Sequence, residues 1–154
     1  TQLVYCTSTE IHTINVDGTN DQTRVTDTNI EFVSWRYGTK IAFVRTVGSN
    51  KILSLVVPGG APTDLTAAAS VDKPQISSAD NNVVYGLAGG SYCSVDVSAG
   101  TPATTEVLAN CKASLPRLSP NAGKVIYDKA GEGETSGIYL IDLTATTKSE
   151  TKVK

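Results

Sequence analysis

Apolar and polar residues alternate along this chain in short runs of β-branched and aromatic type, and the runs recur. Leu3-Val4-Tyr5, Ile41-Ala42-Phe43, Val83-Val84-Tyr85 and Val125-Ile126-Tyr127 each read aliphatic, small or aliphatic, then aromatic, with starts 38, 42 and 42 residues apart. A second apolar run follows each one, at Ile11 to Val16, Ile52 to Val57, Tyr92 to Val97 and Ile138 to Leu143, mostly ending at Gly, Pro or a small polar turn, as hairpin partners do. A third, more polar run lies at Arg24-Val25-Thr26, Asp64-Leu65-Thr66, Glu106-Val107-Leu108 and Thr151-Lys152-Val153, and its low apolar content suits an outer edge strand. A fourth run precedes three of the four first runs, at Phe32 to Trp35, Pro74 to Ser77 and Pro116 to Ser119.

Four short strands in every repeat of roughly 40 residues, with turn chemistry between them and no helical period, predict an all-β chain of β-propeller type. The repeats run approximately over 1–29, 30–71, 72–113 and 114–154, as one domain or one segment of a propeller, with about four antiparallel four-stranded blades visible. A parallel sheet needs helices between its strands, and the Ala-rich stretch Thr66 to Ala69 is too short to nucleate one, so it reads as an outer strand end and loop. Alternate residues of the two middle strands are expected to point into the spaces between blades. Asp17-Gly18 and Pro58-Gly59-Gly60 supply tight turns, and Pro120-Asn121 a type I turn joining an inner pair of strands.

The strand count leaves a gap. The chain opens at Gln2, already on the second strand of its first repeat, and reaches Val153 and Lys154 with the outer strand of the last repeat used. The first blade therefore lacks its inner strand, and the edge formed by Gln2, Leu3, Val4, Tyr5, Cys6 and Thr7 has no partner for its backbone groups in a region expected to be buried. The expectation is that these residues belong to a larger propeller or that a neighbouring subunit docks on that edge.

The stretch Ile11-His12-Thr13-Ile14-Asn15-Val16-Asp17-Gly18-Thr19-Asn20, followed by Arg24-Val25-Thr26, resembles the TolB-like β-propeller repeat, I-Y-x-M-N-x-D-G-x-N then R-L-T. The later part of that repeat, P-x-W-S-P-D-G-K-x-I-A-F, is echoed by Pro116-Arg117-Leu118-Ser119-Pro120-Asn121 with Gly123-Lys124-Val125-Ile126-Tyr127, and more weakly by Gly38-Thr39-Lys40-Ile41-Ala42-Phe43 and by Pro74, Ser77 and Val83-Val84-Tyr85. The resemblance covers nearly the whole chain. It implies the fold and leaves the function open, because such propellers serve many roles. Some are gating domains of serine peptidases, and others are lyase or lectin-like folds that bind a metal or sugar in the channel. Two departures stand out. Trp35 falls one place after the repeat's Trp when Ile41 is aligned, so either the turn slips there or Ser34 has replaced the Trp, and Ser78-Ala79-Asp80 stands where the repeat favours Pro-Asp-Gly.

Charge excludes some partners. Lys and Arg number 13 against 15 Asp and Glu, so no strong field invites nucleic acid or an anionic membrane, and no apolar run is long enough to span a bilayer. Abundant Thr, Ser, Ala, Gly and Asn with sparse Lys points outside the cytoplasm, to the periplasm or a secreted state. The chain has no Met, not even at position 1, as expected either of a processed N-terminus, for which a removed signal peptide would account, or of a segment cut from a longer chain. Three cysteines, Cys6, Cys93 and Cys111, allow one intramolecular disulfide at most, with Cys93 and Cys111 the candidate pair, or else all three are small buried hydrophobes.

Candidate chemistry is thin. His12, the one histidine, lies in a strand where the resembled repeat has Tyr, so it reads as a packed or half-exposed structural residue. No G-x-S-x-G motif supports a hydrolase, and no C-x-x-C supports zinc. Asn15, Asp17, Asn20 and Asp21 cluster, but Gly18 and the missing Glu break the EF-hand spacing, which leaves a turn. Glu132 and Glu134 read as a solvated hairpin tip, and Lys148, Lys152 and Lys154 as a charged edge. Arg36 and Arg117 flank inner strands and are candidates for a channel mouth that takes an anion. The sequence thus predicts a non-catalytic extracytoplasmic binding or scaffold module without cofactor or metal, whose partner is another protein or copies of itself through open strand edges. The alternative is the gating or ligand-binding part of a larger secreted enzyme such as a serine peptidase or lyase.

Overall fold

The computed structural model describes residues 1–36, 39–66, 70–78, 82–87, 91–98, 103–108, 113–121, 123–129, 136–147 and 149–153, with backbone alone for 103–108 and 113–116. Its strands are β1 (Gln2–Cys6), β2 (Glu10–Asn15), β3 (Gln22–Thr26), β4 (Ile30–Ser34), β5 (Ile41–Val47), β6 (Asn50–Val56), β7 (Thr63–Asp64), β8 (Val71–Ile76), β9 (Asn82–Leu87), β10 (Tyr92–Asp96), β11 (Ala103–Leu108), β12 (Ala113–Leu118), β13 (Lys124–Lys129), β14 (Gly137–Asp142) and β15 (Glu150–Lys152). Among the described residues they form four antiparallel sheets in chain order: β1-β2-β3, β4-β5-β6-β7, β8-β9-β10-β11 and β12-β13-β14-β15. The first sheet has three strands and no inner one, and β1 is its edge.

Local chemistry sets the turns. Thr7 closes the first hairpin by accepting the Glu10 amide on its hydroxyl at 2.9 Å. Gly18 takes φ +83° in the next, where Asp17 accepts both the amide and the hydroxyl of Thr19 at 3.0 and 2.7 Å. Gly59 takes φ +86° in the turn that leads towards β7.

The sheets stack face to face, and the alternation of each middle strand assigns its side chains to two different neighbours. Ile41 and Phe43 of β5 pack on Ile11 and Val25 of the first sheet, with Val4 and Cys6 beside them. Ala42 and Val44, on the opposite face of β5, pack with Val83 and Tyr85 of the third sheet. Val84 in turn meets Val125, Tyr127, Tyr139 and Ile141 of the fourth. A strand covered on both faces reads as an unbroken apolar run, which is why Ile41, Ala42, Phe43 and Val44 are all 0% exposed. Arg45 ties the second sheet to the link that enters it, through Asp27 at 2.7 Å and Asp64 of β7 at 3.0 Å.

The register resolves the position of Trp35. Leu118 pairs with Val125 and Ile76 with Val83, while Ser34 pairs with Ala42, so the next residue, Trp35, stands opposite Ile41. The hairpin turn is one residue shorter there, and Trp35 packs on the same cluster as Ile41 and Phe43. Trp35 thus holds the repeat's Trp position, and Ser34 has not replaced it.

Candidate functional site

Register makes positions comparable between sheets. Tyr5 pairs with His12, Phe43 with Ser54, Tyr85 with Cys93 and Tyr127 with Tyr139. Leu3, Ile41, Val83 and Val125 precede those aromatics by two places and share their face, which looks towards the preceding sheet. In the second, third and fourth sheets these aliphatic and aromatic positions are at most 2% exposed. In the first sheet, Leu3 is 54% and Tyr5 37% exposed, because among the described residues no sheet stands in front of them.

Among the described residues, none covers the fourth sheet on its other side. Ile126 matches Ala42 and Val84, which are 0% and 1% exposed, yet it is 41% exposed itself. Ile138 stands opposite Asp128 as Leu53 stands opposite Val44 and Tyr92 opposite Gly86; it is 39% exposed, whereas Leu53 and Tyr92 are buried. An open cavity of about 260 Å³ lies on this face, lined by Arg117, Leu118, Ser119, Lys124, Ile126 and Leu140. Large apolar side chains gathered on one face mark an interaction surface more than scattered ones do.

The first face also carries a polar network. His12 stacks on Tyr5 with ring centroids 4.8 Å apart. Its Nδ1 lies 3.1 Å from Asp21 Oδ1 and its Nε2 3.4 Å from Glu10 Oε2, while the Tyr5 hydroxyl donates to Asp21 Oδ2 at 2.7 Å. That hydrogen bond to a carboxylate raises the Tyr5 pKa above its ordinary value, since ionisation would set two anions together. His12 is therefore half-buried and structurally bonded. Asn15, Asp17 and Asn20 are engaged in turn contacts with Thr19 and Gln22, so the acidic cluster forms the β2–β3 turn.

The candidate arginines differ in exposure. Arg36 is half-buried and its Nη2 donates to the Leu118 carbonyl at 3.3 Å, tying the second sheet to the fourth near the inner strands, while Arg117 is exposed on the uncovered face. Cys6 lies half-buried at the first joint, where burial pushes its thiol pKa up. Cys93 is buried in β10, and Cys111 lies outside the described residues, as do Glu132, Glu134, Lys148 and Lys154. Sequence reasoning pointed to the edge of β1 and missed the two faces. The signal was present in Leu3, Tyr5 and Ile126, whose places in the repeat fix which neighbour each one needs.

No family model matches the chain, and no curated protein does. Solved structures do. An oligogalacturonate lyase, in complex with manganese, aligns with TM-score 0.67 and 11% identity over 91% of this chain and 41% of its own. A prolyl endopeptidase aligns with TM-score 0.62 and 13% identity over 92% of this chain and 23% of its own. The hydrazine synthase of Kuenenia stuttgartiensis aligns with TM-score 0.62 and 10% identity over 88% of this chain and 46% of its own. The chain thus spans less than half the length of each. The lyase and the endopeptidase are propeller-containing proteins, and at such identity the likeness shows the fold alone. The chain has the all-β architecture of a β-propeller, built here of four antiparallel sheets.

Proposed function

We propose that this chain is a non-catalytic binding and scaffold segment of a TolB-like propeller, working outside the cytoplasm, whose two uncovered faces and β1 edge are taken up by protein. One observation carries the reading: Leu3, Tyr5, Ile126 and Ile138 hold repeat positions that are buried in the other sheets. Covering them removes apolar surface from water at about 25 cal/mol per Å². The Thr- and Ser-rich composition supports the extracytoplasmic setting. Photo-crosslinkable residues at positions 3 and 126, compared with the exposed control position Val57, test the reading in the native source. The expected result is protein adducts at 3 and 126 well above those at 57, and equal yields at the three sites count against it.

A second reading has its own support. The chain spans 23% of the endopeptidase and 41% of the lyase, which supports the alternative that it is the propeller part of a larger secreted enzyme, whose remaining chain would cover the same faces. The intact mass of the mature polypeptide separates the two: a mass far above 16.1 kDa favours the enzyme part, and a mass near it favours the scaffold.

A further inference from the structure

We propose that the partner on both faces is a second copy of this chain, stacked head to tail, with the fourth sheet of each copy covering the first sheet of the other. This rests on the reading that protein covers the two faces, and it names that protein. The inter-sheet packing supplies the first argument. Each joint inside the chain sets an Ala42-type position of one sheet against the Ile41-type and Phe43-type positions of the next. Ile126 is the Ala42-type position left over at one end, and Leu3 and Tyr5 are the Ile41-type and Phe43-type positions left over at the other. The two faces are therefore the two halves of a joint already made between successive sheets.

The second argument comes from the polar residue that each inner strand sets against the next sheet. Ser34, opposite Ala42, accepts the Ile76 amide on its hydroxyl at 3.1 Å. Gln75, opposite Val84, accepts the Leu118 amide on Oε1 at 2.9 Å. In each case the side chain meets an amide of the next sheet's inner strand. Arg117 holds the same position opposite Ile126, and a guanidinium donates only. It lacks the acceptor that meets an inner-strand amide at the two inner joints and is suited instead to backbone carbonyls, which an open strand edge presents in a row.

The first sheet presents such an edge, at β1. The Thr1 and Thr7 contacts with Val16 and Glu10 place Leu3 and Tyr5 among the residues bonded to β2, which turns the amides and carbonyls of Gln2, Val4 and Cys6 towards the open edge. Those carbonyls accept from a guanidinium. Charged side chains stand on both faces, Glu10 and Asp21 on the first, and Arg117 and Lys124 together with Asp128 and Asp142 on the fourth. A head-to-tail contact of this kind is heterologous and closes with two copies when the rotation completes the ring.

Native mass spectrometry and sedimentation equilibrium on the 154-residue chain test this, with Leu3→Glu, Ile126→Glu and Arg117→Ser variants. The wild type is expected at twice 16.1 kDa, in a concentration-dependent equilibrium with the single chain. Leu3→Glu and Ile126→Glu are each expected to remain single chains where the wild type is paired, with circular dichroism unchanged because both side chains are exposed. Arg117→Ser is expected to weaken pairing. Mixing the two Glu variants restores a two-copy species, because one of its two joints is then wild type on both sides. A pair broken by Leu3→Glu and untouched by Ile126→Glu is face to face and overturns the proposal. So does a wild type that stays single up to about 1 mM. If protein adducts at positions 3 and 126 persist in that case, a different protein covers the faces, and if they are also absent, the reading beneath the proposal fails as well.

Discussion

Phe43 and Tyr5 occupy the same repeat position, and only Phe43 has a sheet in front of it. Truncating each to Ala measures what that covering sheet contributes. For Phe43→Ala, giving up the burial of a whole aromatic side chain costs about 1.5–3 kcal/mol. The void left among Ile11, Ile41 and Val56 raises the total to about 3–5 kcal/mol, since two stacked sheets do not collapse into it. Tyr127→Ala belongs in the same range: its ring is 2% exposed and its hydroxyl donates to Glu150 at 2.5 Å. Tyr5→Ala in the single chain loses a partly exposed ring and a surface hydrogen bond, which together are worth about 1 kcal/mol. Lys152→Ala stays within about 0.5 kcal/mol. The assay is urea unfolding in the Ile126→Glu background, which keeps the chain single, with an unchanged slope showing that only stability has moved. Equal costs at Tyr5 and Phe43, large or small, refute the assignment of faces.

Gln75→Ala strands the Leu118 amide in the joint between the third and fourth sheets and is expected to cost about 1–3 kcal/mol by the same unfolding assay. The raised Tyr5 pKa stabilises the fold below the ordinary phenol value, and that contribution is lost as pH rises through the folded value. Asp21→Asn therefore lowers one phenol midpoint in an ultraviolet titration, and Tyr5→Phe removes it. Hydrogen bonds from Thr19, Ser98 and Thr144 hold Asp17, Asp96 and Asp142 below the usual carboxylate value. Their stabilisation is present above the unfolded pKa and is lost as pH falls through the lowered ones, so Thr19→Val and Thr144→Val variants should show a flatter acid dependence of the urea midpoint. A Cys93–Cys111 disulfide, if the oxidised protein holds it, contributes about 3 kcal/mol by loop closure, and alkylation of all three thiols in the unreduced, denatured chain rules it out.

The period of the repeat was legible because each sheet turns the same positions towards its neighbours, and β-branched and aromatic residues mark them in sequence. The absent inner strand of the first sheet followed from counting strands against Gln2. The fate of Trp35 did not: a single sequence shows the misalignment with Ile41 but not whether the turn or the residue has changed, and only the pairing of Ser34 with Ala42 decides it. Contacts between sheets were out of reach for a different reason. The acceptors Ser34 and Gln75 reach amides about 40 residues away in the chain, and nothing in the local pattern distinguishes them from solvated polar residues. The stacking of His12 on Tyr5 likewise depends on the cross-strand register of β1 and β2.

The central claim is that this chain is a run of propeller sheets with an uncovered stacking face at each end. Hydroxyl-radical footprinting read by mass spectrometry tests it most directly, in dilute solution where the chain is single. The account predicts ready labelling of Leu3, Tyr5, Ile126 and Ile138 and protection of their repeat counterparts, Ile41, Phe43, Val83 and Tyr85 for the first two and Val84, Leu53 and Tyr92 for the others. Leu3 and Tyr5 protected as fully as Ile41 and Phe43 in the single chain would contradict it.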